Sequence, residues 1–387
     1  MRSRAVDDMV LANSASHAPN IAALDLGTNS CRLLIASIGV TNLHRNFFKV
    51  RVSDERRIKI IDSFAKIISL GEGVKQTGML SNDAMERTII ALRACKKKLD
   101  NHRIYKMRAV ATEACRQANN AKILLERVSN EIGVDLEIIS PQEEARLVLK
   151  GCSGVISDEK NYGILLDIGG GSTEVVWLRI SKGSGRPLVS VIDSISLPFG
   201  VVTINDTYTH GKNDQKIYSV LRENISNTLI AFMAKNNIME SLKLGEVQVV
   251  TSSGTTTTLG SLTLGLNTYD RSAIDGKDFS SQKIIAVGED LLSRYLLSTP
   301  TTVHLGREKN FITNKFFDHV SDKNSAEFKA FAYNRMGLLA SGVAIINAIL
   351  ATIGDCPIRI ADRGVREGIL FDLMDSLRTR QSTSWNF

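Results

Sequence analysis

IAALDLGTNSCRLLIA, residues 21–36, and GILLDIGGGSTEVVWL, residues 163–178, are two copies of one pattern. With Asp25 set over Asp167, Gly27 falls on Gly169 and Ser30 on Ser172, so each copy reads D-x-G-x-x-S between two apolar runs. That is the signature of a strand, a tight polar turn and a returning strand. Glycine lets the chain reverse sharply and brings backbone N–H groups against an anion with no Cβ in the way. An aspartate ending the first strand puts a carboxylate beside that anion, where a hydrated Mg²⁺ fits. Two such hairpins facing each other make a two-sided phosphate clamp. Two unrelated glycine turns would not share this register.

The chain around the hairpins is large enough for two cores, at 387 residues. It is 43% hydrophobic and 23% charged, the balance of a globular protein. A net charge of +7 favours acidic partners without choosing among nucleic acid, nucleotide and polyphosphate. No basic stripe interleaved with aromatics supports nucleic acid, which ranks last. Cys31, Cys95, Cys115, Cys152 and Cys356 are scattered and form no C-x-x-C pair, as expected of free thiols in the cytoplasm with no zinc site. Residues 1–18 read as a flexible tail, in which Asp7 and Asp8 argue against an export signal. The uncharged stretch Met336–Gly354 reads as a buried helix, with a membrane span as the alternative.

Residues 43–61 interleave Arg45, Lys49, Arg51, Arg56, Arg57 and Lys59 with apolar residues, a face that either guides a polyanion or is simply solvated. SLGEGVKQTGML, residues 69–80, is a glycine-punctuated loop. Ser81 opens a helix whose Met85, Ile89, Leu92 and Leu99 recur at helical spacing. A strand near 106–111 leads into ATEACRQANN, where Arg116 either reaches a ligand or is a solvated surface residue. In VDLEIISPQEEARLVLK, residues 134–150, a strand over 134–139 is followed by Ser140 as N-cap, Pro141 at the first helical position and Glu143 completing a capping box. Glu144 lies about 100° further round the helix. It either acts as a general base on water or simply complements the helix dipole. Glu174 aligns with Arg32, so the hairpins differ there; it joins Asp167 around a metal or faces outward. A strand over 187–198 ends in LPFG, and helices run near 213–235 and 281–297. A third turn, in EVQVVTSSGTTTTLGSL at 246–262, sets Ser253, Gly254 and Thr255 at a helix N-terminus facing the same anion. RIADRGVREGIL, residues 359–370, reads as strand, glycine turn and final helix, and QSTSWNF as a disordered tail.

Three glycine turns split over two α/β halves resemble the superfamily of acetate kinase, sugar kinases, Hsp70 and actin. Within it the chain resembles the exopolyphosphatase and guanosine pentaphosphate phosphatase (Ppx/GppA) family, from about Ile21 to Leu370. The family's phosphate motifs match ALDLGTNSCRLLIA and LLDIGGGSTEVV, the latter with its specific S-T-E ending. Its ATEAxR segment matches Ala111–Arg116, its S-x-x-E-E-A segment Ser140–Ala145, and SSGTTTTLG, LGLNTYDRSAIDG and ADRGxREG also fit. Two departures stand out: Pro141 replaces a usual Gly, and Arg335, Met336 and Gly337 stand where many members have Arg-Ala-Asp, so no site is carried over there. The chain ends soon after Leu370, resembling the short two-domain form.

The resemblance implies an α/β fold of two ribonuclease H-like domains with a cleft between them. Domain I would span 19–143, with the helix at about 365–379 returning to it, domain II would span 144–364, and 380–387 would be a tail. Glu144 becomes the catalytic carboxylate and Arg116 the phosphate-binding arginine. Gly27, Asn29, Ser30, Gly169, Gly170, Gly171 and Ser172 become the phosphate cradle. Asp25, Asp167 and Glu174 become the metal side, with Mg²⁺ expected and Mn²⁺ admissible on oxygen ligands. The implied activity is release of the terminal phosphate of inorganic polyphosphate. The alternatives are removal of the 5′ γ-phosphate of guanosine pentaphosphate, a kinase, or a nucleotide-binding regulator without turnover. No nucleic-acid or membrane partner is expected, and the family allows a homodimer.

Overall fold

Each apolar run of the repeated pattern is a strand. In the computed structural model, which describes residues 19–39, 58–183, 186–208, 215–296 and 326–383, the first copy forms β1 (Asn20–Leu26) and β2 (Ser30–Ile38), paired antiparallel. β3 (Ile58–Ile67) adds antiparallel to β2, and β4 (Ile104–Ala111) and β5 (Glu137–Ile138) add parallel beyond β1, giving the order β3-β2-β1-β4-β5. The second copy forms β6 (Tyr162–Ile168) and β7 (Thr173–Ser181), followed by β8 (Leu188–Leu197) and β9 (Val247–Ser252). β10 (Lys277–Ser280) and β11 (Pro357–Ala361) complete a sheet of order β10-β11-β9-β6-β7-β8. Apart from the extra edge strand β10, the second sheet repeats the first: three antiparallel strands, then parallel strands on the far side of the hairpin's first strand.

The repetition runs deeper than the turn motif. The β2–β3 ladder slips between Ile35 and Ala36, and the β7–β8 ladder between Trp177 and Leu178, at equivalent positions. Beside each bulge stands an aspartate that accepts from the next residue's N–H and from a lysine in the last turn of a long helix. Asp62 takes Ser63 N (2.7 Å) and Lys98 Nζ (2.6 Å), and Asp193 takes Ser194 N (2.9 Å) and Lys235 Nζ (2.7 Å). Bulges bend a strand and sharpen its twist, and here each also ties the third strand to the helix behind it.

Three cores follow from this layering. The outer face of the first sheet packs on helices Asn82–Asn101 and Ala121–Ile132 through Leu24, Leu33, Ile89, Leu92 and Leu124. The outer face of the second packs on Gln215–Lys235, Gly254–Thr263 and Ala326–Ile353. The segment Met336–Ile353 is long and apolar enough to cross a membrane, and it is buried inside this second core. The inner faces of both sheets share a third core with helices Pro141–Cys152 and Val365–Thr383, joining Ile21, Ala23 and Val110 to Leu165, Val176 and Val250 through Leu147, Val148 and Ile369. The two helices cross backbone to backbone. A Cβ on Gly151 would overlap the Gly364 carbonyl oxygen, and one on Gly368 the carbonyl oxygen of Leu147. Lys150 ties them further through Asp372 and Asp375 (2.6 Å each), and Arg146 binds Asp372.

Several local expectations need correction. The strand expected over 134–139 shrinks to Glu137–Ile138, which pairs only with the end of β4. Ser140 caps its helix, accepting from Glu143 N (3.1 Å), but the Glu143 carboxylate does not close a capping box. It binds Arg108 Nη1 (2.8 Å) and Arg146 Nε (2.7 Å), since charged donors hold a carboxylate more strongly than a backbone amide does. The loop 69–80 contains one helical turn, Val74–Thr77. The final helix runs to Thr383, so the first three residues of the expected disordered tail are helical. Of the basic segment, residues 45–57 lie outside the described residues, as do the tail 1–18 and residues 384–387.

Candidate active site

Both hairpins close in the same way, Gly27 N donating to Ser30 O and Gly169 N to Ser172 O, each at 2.9 Å. The N–H groups of these two glycines are thus taken up by the turns themselves. Among the described residues, no backbone hydrogen bond of the turns uses the N–H of Asn29, Gly170 or Gly171, which remain as candidate anion donors. The turns touch: a Cβ on Gly170 would stand 2.9 Å from Thr28 Cβ, and one on Gly171 2.9 Å from Thr28 Oγ1. The second turn is backed by the LPFG segment, whose Gly200 lies against Gly170, while Val201 N and Val202 N donate to Gly169 O and Gly170 O (3.0 and 2.8 Å).

Asp25, next to last in β1, lies opposite Arg32, and Asp167, next to last in β6, opposite Glu174. Both aspartates keep a solvent-facing edge, yet the protein mass around them makes burial the first influence on their carboxyls. Asp25 is raised by burial, against the charges of Arg32 and Arg366. Asp167 is pushed from 3.8 up to about 8 by burial, then by Glu174 and Asp25. Glu174 is buried rather than outward-facing. Its Oε1 accepts from Ser172 Oγ (2.7 Å) and Ser196 Oγ (2.9 Å), while its buried Oε2 has no partner. Thr28 Oγ1 and Asn29 Oδ1 are likewise buried without partners. Buried polar atoms are ordinarily satisfied, so orphans clustered at one place mark where a ligand or ion completes the structure.

Glu144 reaches this place from the first turn of the helix Pro141–Cys152, held by Arg116 Nη1 at 2.8 Å. Arg116 stands in the last turn of the short helix Glu113–Gln117 just beyond β4, donating also to Ile139 O (2.8 Å) and, through Nε, to Glu113 Oε2 (2.8 Å). Glu144 is 8% exposed. Its carboxyl is raised well above the usual carboxylate range by burial, then by the Glu174 charge, with Arg116 pulling it down. A carboxylate so perturbed, on a positioned arginine, is the pattern of a general base poised nearer neutrality.

The third turn contributes differently from the expectation. Ser253 is the N-cap of Gly254–Thr263, its Oγ accepting from Thr256 N at 3.0 Å. Thr255 is buried with its hydroxyl against Gly342. Both side chains therefore serve the helix and its packing. Gly254 faces open space, just past the β9 end that pairs with Asp167.

Among the described residues, no three carboxylate, imidazole or thiol groups converge as a preformed metal cage. The donor set still suits a hard divalent cation: the Asp25 charge bears on Asp167, and Glu174 offers an unpartnered oxygen. Mg²⁺ characteristically takes only one or two protein carboxylates beside water and substrate phosphate.

The raised Asp167 carboxyl has a measurable consequence. The folded protein binds this proton more tightly than the unfolded chain, so between its unfolded and folded values stability falls as pH rises. Thermal unfolding midpoints without divalent cation are expected to drop between about pH 5 and about pH 8, and Asp167→Asn to flatten that drop. Equal slopes in the two proteins would exclude Asp167 as the group responsible.

A model of the Ppx/GppA phosphatase family matches residues 49–377. The chain belongs to the Ppx/GppA phosphatase family. A family relative, exopolyphosphatase 2 of Mycobacterium tuberculosis, is 28% identical over 265 residues, covering 66% of this chain and 74% of that protein. The bifunctional 3-dehydroquinate synthase/phosphatase of Fusobacterium nucleatum is 30% identical over 272 residues, 68% of this chain but only 37% of that longer protein. The solved structure of the Aquifex aeolicus Ppx/GppA member superposes with a TM-score of 0.61 at 27% identity, over 92% of this chain and 98% of that one. The repeated sheets are thus the two halves of the fold shared with that family member.

The sequence assigned no role to four charged residues that the structure places around this site. Arg32 donates from Nε to Ser30 Oγ (3.0 Å), and Arg366 and Glu367 bear on Asp25 from the last helix. Glu113 braces Arg116. The signals lay inside motifs already noted, as the second residue after Ser30 and as the charged positions of A-T-E-A and R-E-G.

Proposed function

We propose that the chain is a metal-dependent exopolyphosphatase that releases orthophosphate from the end of inorganic polyphosphate. The observation that carries this reading is the buried Glu144, held on Arg116 beside the paired glycine turns. The terminal phosphoryl group lies between the turns, bound by the N–H groups of Asn29, Gly170 and Gly171 and by Arg116. Water attacks the terminal phosphorus as Glu144 takes its proton. The bridging P–O bond breaks, its electrons stay on the shortened chain, and the proton leaves Glu144 with product or solvent. Asp25, Asp167 and Glu174 are the residues that would hold Mg²⁺ or Mn²⁺, whose chemistry there is to offset charge developing on the bridging oxygen. The net charge of +7 and the exopolyphosphatase relative support a polyanionic substrate.

The test is orthophosphate release with Mg²⁺ from long-chain polyphosphate beside guanosine pentaphosphate. Faster release from polyphosphate is expected. Release mainly from the nucleotide would transfer the same site to that substrate, and silence with both would overturn the hydrolase reading.

A further inference from the structure

Glu113 stands outside the mechanism above, yet it touches both parts that must cooperate. It begins the short helix, Glu113–Gln117, that carries Arg116 in its last turn. Its Oε2 accepts from Arg116 Nε at 2.8 Å and lies 2.6 Å from Nη2, outside hydrogen-bond geometry for the latter. Its Oε1 is fixed in turn by Gln117 Nε2 at 2.6 Å. Its aliphatic stem fills the space that a side chain on Gly171 would need, since a Cβ there would stand 2.8 Å from Glu113 Cγ and 3.0 Å from its Cβ. Glu113 therefore belongs to the first half by sequence and abuts the second half's phosphate turn.

We infer that Glu113 is a positioning residue that sets Arg116 against the second turn, so that Nη1 stays on Glu144 while the Nη2 edge meets the phosphoryl group. A free arginine side chain samples many rotamers. Held only at Nη1, by Glu144 and Ile139 O, the guanidinium could pivot about that corner. Held at Nε as well, it is fixed in plane and direction. Because the brace rests on Gly171, the arginine is aligned only when the two turns are together, which couples capture of the terminal phosphate to alignment of the base.

This inference rests on the proposed function for its catalytic part and stands on binding alone for the rest. Tripolyphosphate is the probe, with affinity measured by calorimetry and turnover by orthophosphate release, on wild type, Glu113→Ala, Glu113→Gln, Arg116→Ala and the double variant Glu113→Ala/Arg116→Ala. Glu113→Ala is expected to weaken binding and to lower kcat about 10–100-fold, the range known for loss of a group that orients a metal ligand. Glu113→Gln, whose amide oxygen still accepts from Nε, should fall between it and wild type. In the Arg116→Ala background, Glu113→Ala should change neither quantity, because its effect passes through the missing guanidinium. Effects that multiply in the double variant, or a Glu113→Ala protein that binds and turns over like wild type, would overturn the inference. Tripolyphosphate bound through this cycle but never hydrolysed would leave the inference standing and sink the hydrolase reading instead.

Discussion

Replacing Glu144 by glutamine is expected to lower turnover about 10²–10⁴-fold, the range for loss of a general base, with little change in KM. The amide oxygen can still accept from Arg116 Nη1, so the arginine keeps its place, and the turns are untouched. What disappears is the acceptor for the water proton. The wild-type acid limb carries a second signature. Glu144 must be ionised to act, and burial together with the Glu174 charge raises its carboxyl well above the usual range. The limb in kcat/KM should therefore lie above the ordinary glutamate value of about 4.3 and vanish in the variant's residual activity. A pH–rate series on both proteins measures this. A fully active Glu144→Gln protein would leave the phosphatase without this base.

Gly368→Ala is expected to destabilise the fold by about 3 kcal/mol, at the upper end of what overpacking costs. The added Cβ would overlap Leu147 O and stand 2.7 Å from Leu147 C. The obstacle is helix backbone rather than a side chain that can rotate away. The helices Pro141–Cys152 and Val365–Thr383 would have to separate, loosening the third core on both sides, with Leu147, Ile369 and Leu370 at its centre. Glu144 rides on one of these helices, so turnover should fall with stability. Gly254→Ala is the control, because nothing lies within 4 Å of its added Cβ. Chemical unfolding of the three proteins tests this, and a Gly368→Ala midpoint equal to that of Gly254→Ala would refute the account of the crossing.

The parts of this architecture that were legible in the sequence are those governed by neighbours in the chain. D-x-G-x-x-S announced both hairpins because a strand end, a turn and a return occupy consecutive residues. Ser140 and Pro141 announced the helix start for the same reason. What stayed hidden depends on residues brought together by folding. Glu143 looked like half of a capping box until Arg108, 35 residues earlier, claimed its carboxylate. Glu174 could not be told from an outward-facing strand residue, since alternation along β7 gives no answer where both faces are buried. Thr255 sits in a phosphate-like turn, and only the approach of Gly342 shows that its hydroxyl is packed away. The paired bulges at Asp62 and Asp193 carry no local motif, because their partners lie at the far ends of separate helices.

The two hairpins match in strand, turn and register, but at one position they are opposites. Ser30 Oγ accepts from Arg32, whereas Ser172 Oγ donates to Glu174. The scaffold is thus nearly two-fold, while its charge is antisymmetric, like a plug whose identical prongs are wired to different poles. A chain of identical phosphates has no intrinsic direction for such a scaffold to read. Between these poles a bound anion would meet unlike partners: the first turn's hydroxyl accepts from Arg32 and keeps its hydrogen to offer, whereas the second's is already directed at the Glu174 carboxylate.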